Sequence, residues 1–397
     1  MKPLLLSAYT ATSCIGRGLD ATLAALRSHA SGLAPCTFET VDLVTYVGEV
    51  AGVDAVMMRE DLIAYDCRNN RLAQLGIEQD GFVDAVRTAV ARYGRNRIAV
   101  LIGTSTAGIL QTELAYRRRD QATGALPRDF LYAQTHNTFS VADFVRRYLD
   151  LHGPATAVSS ACSSSAKVFA SARRMIEAGI VDAAVVGGVD SLCLTTLYGF
   201  NSLELTSSTP CRPYDRDRNG LSIGEAAAFV LLERKPTDAV ADSILLLGAG
   251  ESSDAHHMSA PRPDGLGARL AMEGALSSAG ALAADIDYIN LHGTATPSND
   301  AAEGNAVAAL FGTAVACSST KGATGHTLGA AGGLEAVITA LALREGFIPG
   351  GVNTEHFDPA IPISYATENR PAAVKRALSN SFGFGGTNCS LLFGRAH

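Results

Sequence analysis

The sequence predicts an α/β fold made of two similar halves. Short apolar runs alternate with longer stretches of helical periodicity, the pattern of sheet strands joined by helices. Many of the apolar runs are near-continuous, as strands covered on both faces require. Segments also recur in matching order. Val100–Thr106 resembles Ile289–Thr296, Leu4–Ser7 resembles Ile244–Leu247, and Phe229–Arg234 resembles Ser390–Arg395. Such self-similarity suggests an internal duplication. Its seam is expected near residues 235–243, where Lys235-Pro236 begins a polar linker, so that residues 1–240 form one half and 241–397 the other.

The chain opens on a short apolar strand, Leu4–Ser7, followed by a Ser/Thr loop and a helix over Asp20–Ser28. A helix over Gly81–Tyr93 precedes a second strand, Ile98–Ile102. Val141–Leu149 reads as a helix, as does Ser163–Ala178, whose apolar spacing is closed by Gly179. Strands follow at Ala183–Val186 and Phe229–Leu232. The second half repeats the alternation: strand Ile244–Leu247, helix Leu266–Ala279, strand Tyr288–Leu291, helices Ala301–Leu310 and Gly333–Leu343, and strands Ala377–Asn380 and Ser390–Phe393.

Bulk composition narrows the function classes. Of the 397 residues, 47% are hydrophobic and 18% charged, enough to bury a large core and inconsistent with disorder. The formal charge of −7 carries no nucleic-acid footprint. The eight cysteines form no CxxC and no zinc spacing. With Leu4-Leu5-Leu6 far too short for a signal segment, they suggest a reducing cytoplasm. No apolar run reaches the ~18 residues of a membrane helix.

Cys162 is the most informative residue. In Val158-Ser159-Ser160-Ala161-Cys162-Ser163-Ser164 a serine run hands over to a helix, which places the thiol at a helix N-terminus. Unpaired N–H groups and the macrodipole there favour a thiolate. Two histidines stand in Gly/Thr-rich loops after strand-like runs: His292 in Asn290-Leu291-His292-Gly293-Thr294-Ala295-Thr296, and His326 in Thr320-Lys321-Gly322-Ala323-Thr324-Gly325-His326. Strand ends in α/β sheets are where ligand sites gather. A fourth motif, Ser381-Phe382-Gly383-Phe384-Gly385-Gly386-Thr387-Asn388, is a Gly-rich turn after a strand. No GxGxxG or Walker pattern supports nucleotide binding.

Together these four motifs resemble the elongating 3-oxoacyl-[acyl-carrier-protein] synthases, the KAS I/II condensing enzymes of the thiolase superfamily. That family carries an active-site Cys, an HGT loop, a TK…GH loop and a GFGGTN loop in this order. Arg212–Gly220 and Ser252–Met258 match it as well. The resemblance implies a thiolase-like duplicated fold, layered αβαβα with two mixed sheets. It implies decarboxylative condensation of malonyl carrier with a Cys-bound acyl chain, in fatty acid, polyketide or aryl-polyene-type elongation. No cofactor is expected beyond the phosphopantetheine that arrives on the carrier protein.

The resemblance also assigns residues. Cys162 is the nucleophile. The backbone N–H groups of Cys162 and Phe384 form the oxyanion hole. Neutral His292 and His326 donate to the enolate oxygen. Lys321 and Glu303 match a supporting pair. Thr294 and Thr296 match pantetheine-holding positions, and Phe384 a gate. Phe200 and Thr106 match acyl-pocket positions. Asn290, Leu291, Glu335, Ser379 and Asn380 match the surroundings of a structural monovalent cation in some members; no catalytic metal is implied. Arg68 and Arg71 match carrier-docking positions. A neighbouring basic position reads Cys67 and a further one Glu204, which weakens docking to an acidic carrier unless Arg117, Arg118 and Arg119 compensate. A homodimer is implied, or a heterodimer with a related subunit.

Three rival readings differ in single residues. A thiolase needs a second active-site Cys, for which Cys389 is the candidate, but the two His loops fit the synthases better. A starter synthase carries Asn in place of the second His. An inactive partner subunit of a heteromeric condensing complex replaces the nucleophile, which is retained here.

Overall fold

The computed structural model describes residues 2–235 and 243–396. Seven of the nine residues at the expected seam, 236–242, lie outside the described residues, and with them the expected boundary at 240/241.

The strands run in the order Ser364–Tyr365, Ala316–Ser318, Tyr288–Asn290, Arg376–Gly383, Thr387–Arg395, Ile244–Ser253, Leu4–Ser13, Ala226–Arg234, Ala183–Asp190, Ile98–Gly103, Ala155–Val158. The duplication is written into this order. In the first half, Ile98–Gly103 pairs in parallel with Ala155–Val158 and with Ala183–Asp190, and antiparallel pairs then lead through Ala226–Arg234 to Leu4–Ser13. In the second, Tyr288–Asn290 pairs in parallel with Ala316–Ser318 and Arg376–Gly383, and antiparallel pairs lead through Thr387–Arg395 to Ile244–Ser253. The two mixed half-sheets meet at the register pairs Leu4↔Leu246 and Leu5↔Leu245, which link these eleven strands into one path; the short strand Gly16–Arg17, paired to Leu4–Ser13 off that path, completes the 12-stranded sheet.

Five layers result. Along Ala183–Asp190, Ala184 and Val186 face the central core while Ala183, Val185 and Val189 face an outer one, so both sides of the strand are apolar. The central layer holds the helices Ser164–Glu177 and Ala331–Glu345, sandwiched between the half-sheets; in the latter every residue from Ala331 to Leu343 is buried. Helices Arg68–Ile77, Phe82–Tyr93 and Ser140–Tyr148 cover the outer face of the first half-sheet, and Leu266–Ala279 and Pro297–Phe311 that of the second.

Every strand and helix expected above forms, with ends displaced by up to six residues (Leu4–Ser13 and Ile244–Ser253 run longest past expectation), and Leu266–Ala279 forms over the expected span. The additional elements are short or polar on the face that becomes buried. Arg68–Ile77 buries Asn69, Asn70 and Gln74, with Asn70 Nδ2 donating to Tyr65 O at 2.9 Å and Gln74 Nε2 to Met57 O at 3.1 Å. Among the described residues no helix is long and apolar enough to cross a membrane.

Candidate active site

The reacting groups gather where the central helices begin. The nucleophile helix is Ser164–Glu177 with Ser163 at its N-cap, so Cys162 stands one residue outside the cap. Ala161 before it has φ +51°, a left-handed conformation held by its surroundings. Ser160 N–H donates to Ser164 Oγ at 2.9 Å and Ser163 Oγ to Ser160 O at 2.9 Å, so serine side chains hold the turn. The helix start lies directly on the strand Ile98–Gly103: a Cβ on Gly103 would fall 2.2 Å from Ser165 N, and only glycine permits that approach.

His292 sits between the strand Tyr288–Asn290 and the helix Pro297–Phe311. Two carboxylates of that helix gather the loop's amides. Glu303 accepts from His292 N–H and Gly293 N–H, both at 2.8 Å, and Asp300 from Thr294 N–H at 3.0 Å. His326 follows the one-turn helix Lys321–Thr324. Its N–H donates to Ser222 O at 2.7 Å, and its carbonyl accepts from Gly224 N–H at 2.9 Å.

These three loops converge. His326 Nε2 lies 3.1 Å from Cys162 Sγ, and the two imidazoles stand edge to face with centroids 5.2 Å apart. One ring nitrogen of each histidine and the sulfur all lie within 4.8 Å of one another. That geometry resembles a metal cluster, but the hydrogen bonds argue for proton donors. Leu328 N–H donates to His326 Nδ1 at 3.2 Å, and the Lys321 ammonium, which can only donate, lies 3.4 Å from His292 Nδ1. With both Nδ1 lone pairs engaged, each Nε2 carries the hydrogen. Burial, reinforced by the Lys321 charge, holds both imidazoles well below the usual histidine range, so both are neutral.

The Cys162 thiol departs from expectation. Burial pushes it up to about 11, against the N–H groups of Phe384 and Cys162 and the Lys321 charge, which favour the thiolate. Helix-end activation does not prevail, because Cys162 is only 5% exposed and desolvation of the anion outweighs a dipole one residue away.

A cavity opens over these groups, lined by Cys162, His292 and His326 themselves. Thr294 and Thr296 line it, with hydroxyls 2.8 Å apart, as do Phe200 and Phe384, whose rings lie 5.3 Å apart. The Ser252–Met258 motif is tied to the Phe384 turn: Gly385 N–H donates to Met258 O at 2.7 Å and Asp254 N–H to Gly386 O at 2.8 Å.

Four expectations are corrected. Lys321 is paired with Glu335, not Glu303, its Nζ also donating to His292 O at 2.5 Å; Glu303 supports the His292 loop and accepts from Tyr214 Oη at 2.9 Å. Thr106 is not among the cavity-lining residues; its N–H and hydroxyl both donate to Asp190 at 2.9 Å. Arg68 is no docking cation: its side chain is 4% exposed and is held by Glu225, Asp54 and Glu49. Arg71 is partly buried and paired with Asp66. Asn380 turns away from the expected cation position, because neighbouring strand residues face opposite sides; its Nδ2 donates to Glu303 Oε1 at 3.1 Å. Cys389 lies in the central core, outside the cavity lining. Arg117 and Arg118 are exposed and paired with Glu39 and Asp129.

The remaining cation residues fit such an ion. Asn290 Oδ1, Glu335 Oε2 and Ser379 Oγ are buried oxygens without a hydrogen-bond partner. Asn290 and Ser379 face each other in register, and Asn290 Nδ2 donates to Glu335 O at 3.4 Å. Adjacent buried oxygens, one from a carboxyl group, suit a hard cation.

Sequence reasoning missed the pairing role of Glu335 and the bracing role of Tyr214. The first was masked by the nearer resemblance of Glu303; the second sat inside the matched Arg212–Gly220 motif.

Comparison with known proteins agrees with this geometry. Residues 73–238 match the family model for the beta-ketoacyl synthase N-terminal domain, and residues 244–355 that for the C-terminal domain. The 3-oxoacyl-[acyl-carrier-protein] synthase 2 of Rhizobium meliloti is 38% identical over 312 residues, covering 75% of this chain and 73% of the relative. A chain of the ketosynthase (ApeO) complex with its chain length factor (ApeC) from Xenorhabdus doucetiae superposes with a TM-score of 0.90 at 38% identity, covering 100% of this chain and 98% of that one. A beta-ketoacyl synthase from Burkholderia phymatum gives a TM-score of 0.87 at 28% identity over the whole of both chains. The matches span both halves and every loop of the site: the chain belongs to the beta-ketoacyl synthase family.

Proposed function

We propose that this chain is a 3-oxoacyl-[acyl-carrier-protein] synthase that elongates an acyl group held on Cys162. The observation that carries the assignment is the convergence of the Cys162 sulfur with both imidazoles, His326 Nε2 at 3.1 Å and one ring nitrogen of each histidine within 4.8 Å of the sulfur and of each other. In the first half-reaction Cys162 Sγ attacks the thioester carbonyl of an acyl carrier. The carbonyl oxygen is held by the N–H groups of Cys162 and Phe384. Collapse expels the pantetheine thiolate, which leaves with the thiol proton. In the second, malonyl carrier loses CO2, and the electron pair of the broken C–C bond enters a thioester enolate. His292 and His326 donate to its oxygen from neutral rings that do not quench the carbanion. The enolate carbon attacks the acyl-cysteine, the Cys162 thiolate departs, and a proton from solvent restores the thiol.

Lys321 positions His292 and fixes its tautomer, while Glu335 balances the charge. Thr294 and Thr296 face the cavity where pantetheine amides would pass, and Phe200 with Phe384 bounds the acyl side. A monovalent cation held by Asn290, Glu335 and Ser379 would neutralise the buried carboxylate behind Lys321. No free cofactor enters this scheme, and phosphopantetheine arrives on the acyl carrier protein. The working form is a dimer, with itself or with a related subunit, as in the ApeO–ApeC complex. The intact Cys162–His292–His326 set speaks against a vestigial partner subunit. The eight free cysteines accord with a cytoplasmic workplace. Residues 1–240 and 241–397 act as halves of one duplicated unit.

Incubation with a mixed acyl-carrier pool followed by mass spectrometry tests the assignment. An acyl mass on the Cys162 peptide, and loss of condensation in Cys162→Ala, are the expected results. Chain elongation by Cys162→Ala would sink it.

A further inference from the structure

We propose that Asp190 is a positioning residue of this site, one carboxylate that sets both the turn before Cys162 and the tautomer of His326. The inference rests on the reading of those two residues given above.

Asp190 ends the strand Ala183–Asp190 and is fully buried. Neutral donors from two separate segments surround it. Thr104 Oγ1 donates at 2.6 Å, Ser105 N–H at 2.8 Å, Thr106 N–H at 2.9 Å and Thr106 Oγ1 at 2.9 Å, all to Oδ1; Gly329 N–H donates to Oδ2 at 2.6 Å. A carboxylate accepts this many bonds, whereas a neutral amide would turn an NH2 group against one of the donors.

Two arms lead from this carboxylate to the reacting atoms. Along the first, Ser105 is held by its N–H, and its hydroxyl donates to Ala161 O at 3.3 Å. Ala161 is the residue at φ +51° that immediately precedes Cys162. Along the second, Gly329 is held next to Leu328, whose N–H is the donor to His326 Nδ1 at 3.2 Å. Leu328 has φ +54°. A third left-handed residue, Ala107 at φ +43°, donates its N–H to Thr104 Oγ1 at 3.0 Å. Non-glycine residues in this region persist only where their surroundings hold them, and such residues cluster at functional sites. Each of the three is one step from this carboxylate, through Ser105, Gly329 and Thr104 respectively. The packing leaves no slack: a Cβ on Gly329 would lie 2.8 Å from Asp190 Oδ2 and 2.7 Å from Ser105 N.

The test uses the full chain and two variants, Asp190→Asn and Ser105→Ala. The readouts are the 15N shifts of His326 in [15N]histidine-labelled protein, the rate of Cys162 alkylation by iodoacetamide, and kcat and KM for condensation. Asp190→Asn nearly preserves volume. It is expected to convert His326 from an Nε2-protonated signature to a tautomer mixture and to lower kcat by about 100-fold, with KM for malonyl carrier little changed, the size of effect that follows an ångström-scale misplacement. Ser105→Ala cuts only the first arm. It is expected to change the alkylation rate while leaving the His326 signature as in the wild type.

Wild-type alkylation and a wild-type His326 signature in Asp190→Asn would overturn the proposal. So would a His326 shift in Ser105→Ala as large as in Asp190→Asn. Should Asp190→Asn fail to fold, an unchanged alkylation rate in Ser105→Ala overturns it. Condensation by Cys162→Ala would instead remove the reading of the site. If condensation requires Cys162 but Asp190→Asn is indistinguishable from wild type, only the role of Asp190 falls.

Discussion

His326 Nε2 lies 3.1 Å from Cys162 Sγ, while the other nitrogen of the same ring accepts from Leu328 N–H. The ring is therefore a donor aimed at the place where the sulfur, or an oxygen above it, carries charge. His292 is oriented the same way by Lys321. Two neutral donors converging from perpendicular rings suit an enolate oxygen better than a base would.

The first prediction separates the half-reactions. His292→Ala and His326→Ala should each lower CO2 release from malonyl carrier by about 10²–10³-fold, the usual cost of one oxyanion donor. Cys162 should remain alkylatable in both. Radiolabelled CO2 release alongside iodoacetamide labelling measures this. Wild-type decarboxylation in either variant would contradict the donor assignment.

The second concerns the thiol. Burial pushes Cys162 up to about 11, above the ~8.5 of a free cysteine. The iodoacetamide rate should therefore keep rising with pH past 8.5 instead of levelling near neutrality. A midpoint below 8 would restore the helix-end activation that the sequence suggests.

Much of this site is legible in the sequence. Cys162, His292 and His326 each stand in a motif whose small neighbours betray a crowded loop, and strand and helix periodicity located their elements. What could not be read was burial achieved by distant partners. Arg68 looks like a surface cation at a helix start, yet Glu49, Asp54 and Glu225 meet it there, the last from 157 residues away. Lys321 takes Glu335 from a helix whose residues from Ala331 to Leu343 are all buried, a partner that spacing alone does not distinguish from Glu303. Thr106 matches an acyl-pocket position but spends both its donors on Asp190.

A third prediction follows from Arg68. Its guanidinium donates to Glu225 at 2.6 and 3.0 Å with almost no exposed surface. Removing one partner of a buried ion pair leaves a buried charge unpaired, at a cost of about 3–5 kcal/mol. Arg68→Ala should lower the midpoint of denaturant unfolding, whereas Arg71→Ala, at a partly exposed pair, should change it little. A carrier-affinity defect in Arg68→Ala at unchanged stability would return this residue to the docking surface.

The last prediction uses the histidine pair as a pH probe of folding. Both rings are held well below the usual value of about 6.5 by burial and by Lys321. Between the folded value and 6.5 the unfolded chain binds more protons than the native one. Stability from these rings is therefore complete above about pH 6.5 and is lost as pH falls below it, at up to about 1.4 kcal/mol per pH unit for each ring. Buried carboxyls act with the opposite sign; Glu335, raised to about 7 by burial, binds its proton in the native state first. The informative quantity is therefore a difference. Denaturant unfolding at pH 7.5 and 5.5, in the wild type and in His292→Gln/His326→Gln, largely cancels the carboxyl contributions common to both. The wild type should lose more stability on acidification than the double variant. Equal losses would mean that neither imidazole is held neutral in the folded protein, and with that the neutral-donor mechanism would fail.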